Sequence, residues 1–208
     1  MSMKPTPKKI LDVAERLFVK NGPEATSLRA INDAAGTSQG VLHYHFGGKQ
    51  KLLEALLMDR LAPIMEERQA MLAGLDLSRD DMSVRPLLAV IALPLARRMI
   101  EGGSSGKSAV KLLARLYAEK HPVHQKVTDS FFKEAGNVIL EKIKAALPHY
   151  SDAQIELRME IATSAIFSTI SQIGAPPRQW QPGLKQQKDW GWQSVEELLD
   201  FLAQGFGH

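Results

Sequence analysis

The sequence predicts an all-α protein: a three-helix head at the N-terminus followed by a larger C-terminal helical bundle, about nine helices in total. Three observations predict it. Apolar residues recur at spacings of three and four along almost the whole chain, and no stretch alternates as a strand would. Ser, Thr and Gly stand where those periodic stretches would start and stop. The stretches before Lys49 are short and those after it are long.

Thr6 is placed to cap the first helix, with Pro7 at its first position, where a missing N–H costs nothing. Ile10, Ala14, Leu17 and Phe18 share one face until Asn21-Gly22-Pro23 stops it. A second helix, Leu28 to Ala35, follows the hydroxyls of Thr26 and Ser27 and ends at Gly36. Ser38 caps a third, Gln39 to Phe46, closed by Gly47-Gly48. A longer segment, Leu52 to Leu72, leads into a polar break from Asp76 to Ser83. Next come a helix from Arg85 to Ile100 kinked at Pro94, a break over Glu101 to Gly106, and helices from Lys107 to Glu119 and Pro122 to Leu147. Asp152 to Ile173 is the most regular helix. A loop rich in Pro, Gly, Gln and Trp, Gly174 to Gln193, precedes a last helix capped by Ser194 and ending near Gln204.

With 208 residues, 44% hydrophobic and 24% charged, the chain has enough apolar side chains for a sizeable core. It has no cysteine, which excludes disulfides and Cys-based zinc sites and fits a reducing cytoplasm. The first nine residues carry three lysines and two prolines and no apolar run, so no signal peptide is expected. The longest apolar run, Leu87 to Ala96, is far short of the roughly 20 residues that cross a bilayer. A cytoplasmic protein without a membrane partner is therefore expected. Charge is uneven: Met1 to Lys51 holds eight Lys/Arg and four Asp/Glu, whereas the remainder holds eighteen and nineteen. The basic excess lies in the head, as it would for a nucleic-acid-binding element.

Three short helices, the last two joined by a glycine turn, describe a helix-turn-helix whose third helix enters the major groove of DNA. Leu28, Ile31 and Ala35 are placed to pack against Leu42 and Phe46. Gln39, Gly40, His43 and Tyr44 are then left for the groove. The run Thr26-Ser27-Leu28-Arg29, Ile31, Ala34 to Lys49 and Leu52-Leu53, with Ile10-Leu11-Asp12, Ala14, Leu17-Phe18 and Gly22 before it, resembles the tetracycline-repressor (TetR) family. The resemblance is dense over the first fifty-five residues and elsewhere consists of an all-helical layout of matching length. Two positions depart from it: Asn32 stands where a small residue is usual, and His43 where a tyrosine is usual.

The resemblance implies a DNA-binding domain over residues 1–51 and a ligand-binding and dimerisation domain over 52–208. It implies a dimer on a palindromic double-stranded DNA operator, most simply a repressor. Gln39 and Gly40 would approach base edges beside His43, and a Gln is able to bond an adenine edge with two hydrogen bonds. Thr26, Ser27, Tyr44 and Lys49 are implied as phosphate contacts, Arg29 as a phosphate or base contact, and Thr37 and Ser38 complete the DNA set.

In the family the last two helices pair with their twins as a four-helix bundle. Ile155, Met159, Ala162, Ile166 and Ile170, with Val195, Leu198, Leu199 and Leu202, are the expected dimer residues. A second stripe, Leu157, Ile161, Ala165 and Ser168, runs beside the first, so the helix is apolar over a wide arc. Regulators of the family usually sense a small molecule among the middle helices. A small apolar or amphipathic effector is expected, with Met58, Leu61, Met65, Leu95, Met99, Leu113, Tyr117 and Phe167 as lining. Trp180, Trp190 and Trp192 lie in a loop that would lid that pocket, cover the dimer or remain on the surface.

Other chemistries fit poorly. Glu101 to Ser108 nearly spells a phosphate loop, but Glu101 occupies the position of its first glycine and no strand precedes it. His43 and His45 point to different sides of a helix, and His121 and His124 flank a helix start, better placed to cap than to hold a metal. No nucleophile elbow or acid–base pair is visible, and neither enzyme activity, a cofactor nor a metal is expected. The remaining alternatives are an activator or architectural DNA binder without a ligand, and a helical enzyme or scaffold with a vestigial head.

Overall fold

The computed structural model describes residues 7–76, 83–175 and 190–207. Nine helices run through them: α1 (Pro7–Asn21), α2 (Leu28–Ala35), α3 (Gln39–Phe46), α4 (Lys49–Ala73), α5 (Val84–Glu101), α6 (Gly103–Ala118), α7 (Pro122–Ala146), α8 (Asp152–Ser171) and α9 (Trp190–Gly205). There is no strand among the described residues. The all-α expectation holds, with three short helices followed by six longer ones.

The capping chemistry explains the head. Ser27 Oγ accepts from the Ala30 N–H at 3.1 Å, and Ser38 Oγ accepts from the Val41 N–H at 3.4 Å, each satisfying an orphan donor of the first turn. Gly36 closes α2 in the left-handed region at φ 66°, where a side chain would be strained, and its N–H returns to the Asn32 and Asp33 carbonyls. Ile10, Phe18, Ile31, Leu42, Leu52 and Leu56 are fully buried and join α1, α2, α3 and α4 into one core. The expected boundary after residue 51 falls inside the first turn of α4, which continues unbroken from head to body.

In the body, α5 packs against α4, α6, α7, α8 and α9. Its Leu87, Leu88, Leu95 and Met99 are buried to within 1%. Each such side chain contributes roughly 1.5–3 kcal/mol of burial, which makes α5 the axis of the core. Ser151 and Gln154 form a capping box that starts α8. No helix among the described residues is long and apolar enough to cross a membrane.

Three expectations need correction. The break over Glu101 to Gly106 is reduced to a corner at Gly102, and α6 begins at Gly103. A Cβ at Gly102 or at Gly106 would lie 2.4 Å from the Arg98 carbonyl oxygen. These glycines therefore serve a close α5–α6 crossing, which removes the last reason to read a phosphate loop. Ser194 is not a cap: α9 starts at Trp190, and the buried Ser194 hydroxyl donates to the Trp190 carbonyl at 2.6 Å. Trp190 and Trp192 are thus half-buried in the first turn of α9 rather than in a loop, while Trp180 lies outside the described residues.

Candidate nucleic-acid interface

The α2–α3 pair presents Arg29, Ser38, Gln39, Gly40, His43 and Tyr44 on its exposed side. Tyr44 is 86% exposed, an unusual position for a large aromatic ring unless a partner covers it. Arg29 makes only a loose, exposed contact with Asp33 at 3.9 Å, so its guanidinium is available to a stronger anion. Ser27 is exposed as well, its hydroxyl oxygen accepting from the cap while its own proton remains to be donated.

Gly40 adds a geometric clue. It sits in the first turn of α3 with an ordinary helical backbone, and a Cβ there would meet only Ser38 Oγ, at 4.0 Å. Nothing among the described residues requires a glycine there, although glycine weakens a helix by about 0.5–1 kcal/mol relative to alanine.

Three of the expected DNA contacts, Thr26, Thr37 and Lys49, are turned toward their own chain. Thr26 is 1% exposed, and its hydroxyl donates to the Gly22 carbonyl at 2.7 Å, so it ties the α1–α2 turn rather than meeting DNA. The Thr37 hydroxyl oxygen is buried, as is Asn32 Oδ1, and neither has a hydrogen-bond partner. Asn32 thus occupies the tight α2–α3 corner through its backbone, whose carbonyl accepts from the Thr37 N–H at 2.9 Å. Lys49 donates to the Pro23 and Glu24 carbonyls at 2.9 and 3.2 Å. It is a strut from α4 to the α1–α2 turn, and its ammonium is already occupied.

That turn is where head and body meet. Glu24 lies 3.3 Å from His121 Nε2, and His121 Nδ1 in turn accepts from the Val123 N–H as the N-cap of α7. The Arg115 guanidinium of α6 lies against Gly22, where a Cβ would stand 2.5 Å from Nη2. Arg60 of α4 reaches α1 with a bidentate pair to Glu15, at 3.2 and 3.1 Å, and a 2.6 Å bond to Asp12. Burial pushes the Glu15 carboxyl up, and the hydrogen bonds and charge of Arg60 oppose that shift. No sequence pattern marks these contacts, because their partners are 45 and 48 residues apart.

The expected effector lining divides in three. Leu61, Met65, Leu95, Met99 and Leu113 are only 1–4% accessible. A ligand-sized void would leave the side chains around it open to water, so these five are packed core. Met58 is 44% exposed on the surface of α4. Tyr117 and Phe167 do line a cleft of about 480 Å³ between α6 and α8.

The expected dimer residues also need correction. Ile155, Ala162, Ile166 and Ile170 of α8 and Val195, Leu198, Leu199 and Leu202 of α9 are buried within the single chain, and Met159 is half-buried. The outward face of these helices carries Leu157, Ile161 and Phe201, at 59%, 57% and 73% exposure. Leu157 and Ile161 belong to the second stripe visible in the sequence; Phe201 had no signal apart from its type.

Comparison with known proteins fits this architecture. The family model "Bacterial regulatory proteins, tetR family" matches residues 10–56, and the model "Tetracyclin repressor-like, C-terminal domain" matches residues 89–205. The chain belongs to the TetR family. Its resemblance to the repressor KstR2 of Rhodococcus jostii is 37% identity over 68 residues, 32% of this chain and 33% of that protein. With the regulator YvkB of Bacillus subtilis it shares 46% identity over 55 residues, 26% of this chain and 29% of that one. These alignments span about a third of the relatives' length. Among solved structures, the fatty acid degradation regulator FadR of Bacillus halodurans superposes with a TM-score of 0.66 at 12% identity, covering 100% of both chains. A tetR family transcription regulator from Shewanella gives 0.62 at 21%, covering 96% of each. At such identities the structures establish the shared TetR fold.

Proposed function

We propose that this TetR-family chain is a dimeric operator-binding repressor, with residues 1–51 as the DNA-binding head, and that a small effector releases it. The observation that carries the DNA reading is the exposed start of α3, where Gly40 leaves open space beside Gln39 and His43. A helix with a bare first turn approaches base edges closely, and Gln39 then reaches an adenine edge while Tyr44, Arg29 and Ser27 meet the backbone. Repression follows from the likeness of the head to KstR2, which is named a transcriptional repressor.

Retardation of the DNA upstream of the gene tests binding, and genome-wide recovery of bound DNA defines the operator. Gln39→Ala should cost about 1–3 kcal/mol per half-site and relax preference at one base pair. Equal loss on operator and random DNA would make Gln39 a backbone contact instead. Gly40→Ala should separate folding from binding. The substitution stabilises α3 by up to about 1 kcal/mol, while the added methyl lowers operator affinity by about tenfold. Unchanged operator affinity would remove the first turn of α3 from the interface.

A second reading has its own support. The packed core where the effector was expected favours a DNA binder that takes no ligand there. An effector would then bind away from those five packed residues, on the Tyr117 and Phe167 side of the expected lining.

A further inference from the structure

We propose that the cleft between α6 and α8 binds a small amphipathic carboxylate, and that Arg115 transmits its occupancy to the head. The transmission rests on the operator-binding reading above; the binding site does not.

The cleft, of about 480 Å³, falls in the size range of small-molecule sites. Both charged residues that line it, Lys111 and Arg115 of α6, are cations, and no Asp or Glu is among its lining residues. The facing wall, from α8 and its C-cap, carries the hydroxyls of Ser164, Ser168 and Ser171 and the amide of Gln172; Ser171 donates to the Ser168 carbonyl and Gln172 to Ser168 Oγ, exposed bonds that a stronger acceptor replaces. Two cations facing a row of neutral donors suit a carboxylate, which accepts from both sides. The third surface is apolar. Tyr117 and Phe167 stack with centroids 4.7 Å apart and planes 25° from parallel, and Tyr117 Oη lies 3.2 Å from Ser164 Oγ. That platform suits the apolar body of the ligand rather than a bare inorganic anion.

A second observation lies behind the platform. His124 of α7 meets both rings edge-on, at 5.9 and 6.3 Å, is 7% exposed, and its Nε2 has no hydrogen-bond partner. Burial, with His121 adding to it and Asp129 opposing, holds its pKa down to about 4, so the ring is neutral at physiological pH. A buried acceptor or donor left unpaired is unfavourable.

Arg115 makes the cleft more than a passive site. Its Nε donates to Glu119 at 2.7 Å, an exposed i,i+4 pair that a bound carboxylate readily replaces. Its Nη atoms pack on Gly22 in the α1–α2 turn. Glu24 of the same turn is held by His121 and Lys49. Drawing Arg115 toward the cleft removes one of the few supports of that turn and so biases the head. Linkage requires the reverse as well: operator DNA should weaken carboxylate binding by the same factor.

The test titrates the full-length protein with benzoate and octanoate, and with benzamide and 1-octanol as uncharged counterparts, by calorimetry and thermal shift. The carboxylates should bind at least about tenfold more tightly than their counterparts. Lys111→Gln removes a cation, and Ala118→Trp fills the cleft from an exposed position; each should weaken carboxylate binding by about tenfold while leaving the unliganded melting temperature unchanged. Wild-type carboxylate affinity in both variants, or no binding to the native protein at about 10 mM, would overturn the site. For transmission, bound carboxylate should lower operator affinity, and Arg115→Gln should abolish that response. Binding without operator release overturns the role of Arg115 while the cleft stands. If the unliganded protein never binds its operator, the regulator reading fails, and the carboxylate titration still decides the cleft.

Discussion

Ile161→Arg should give a folded chain that no longer dimerises and binds its operator about a hundredfold more weakly, because two linked heads gain by effective concentration what one head loses. Ile161 is 57% exposed in the single chain and stands with Leu157 and Phe201 on the outward face of α8 and α9. An arginine there is harmless to a monomer. In a two-fold interface the same residue contributes from both copies, and each buried charge costs several kcal/mol. Light scattering should report the monomer mass with a melting curve still cooperative. Ile166→Arg and Leu199→Arg should behave differently, because these residues are 0% and 1% exposed inside the chain's own core. They should unfold the protein rather than separate it. A dimeric Ile161→Arg protein with full operator affinity would place the interface on another face.

Arg60→Leu is expected to be the most destabilising surface-proximal change. Arg60 and Glu15 have side chains 12% and 3% exposed, and the pair pins α1 to α4. Removing the arginine leaves the Glu15 carboxylate buried beside Asp12 and Asp59 without a counter-charge. Breaking such a pair from one side costs about 3–5 kcal/mol, which in a chain of this size lowers the melting temperature by roughly 10 °C.

The pH dependence follows in sign. Glu15 already sits above the ordinary carboxylate range through burial, and without Arg60 it rises further. A folded pKa above the unfolded value adds stability below the unfolded value and loses it as pH rises through the folded one. Arg60→Leu should therefore lose ground against the native protein as pH rises through the raised Glu15 pKa of the native protein toward the still higher one of the variant. Glu15→Leu combined with Arg60→Leu should recover most of the loss, since an apolar pair of similar volume often replaces a buried ion pair without penalty. A single variant as stable as the native protein would mean that the pair contributes nothing.

Much of the fold was legible in the chain. The caps at Ser27 and Ser38, the left-handed Gly36 and the period of α1 to α3 are local features whose physics needs only a few neighbouring residues. The exposure of Gln39, Gly40, His43 and Tyr44 is legible on the same wheel. Thr26 and Lys49 bond carbonyls of their own chain, and a hydroxyl or ammonium near a helix start looks the same in sequence whether it meets a phosphate or such a carbonyl; the Thr37 hydroxyl is buried, which no local pattern shows. Gly102 and Gly106 read as flexibility, whereas the Arg98 carbonyl of the preceding helix needs the space.

The sequence by itself determined the helix count, the helix-turn-helix and the presence of two apolar stripes on α8. Only the tertiary structure decided that Ile155, Ala162, Ile166 and Ile170 turn inward while Leu157 and Ile161 turn out. It alone brought Lys111 and Arg115 across from Ser164 and Ser168, and Arg115 against Gly22. Periodicity records which side chains share a face of one helix. Which face meets its own chain depends on where the other helices pack, and no repeat of three and four residues carries that information.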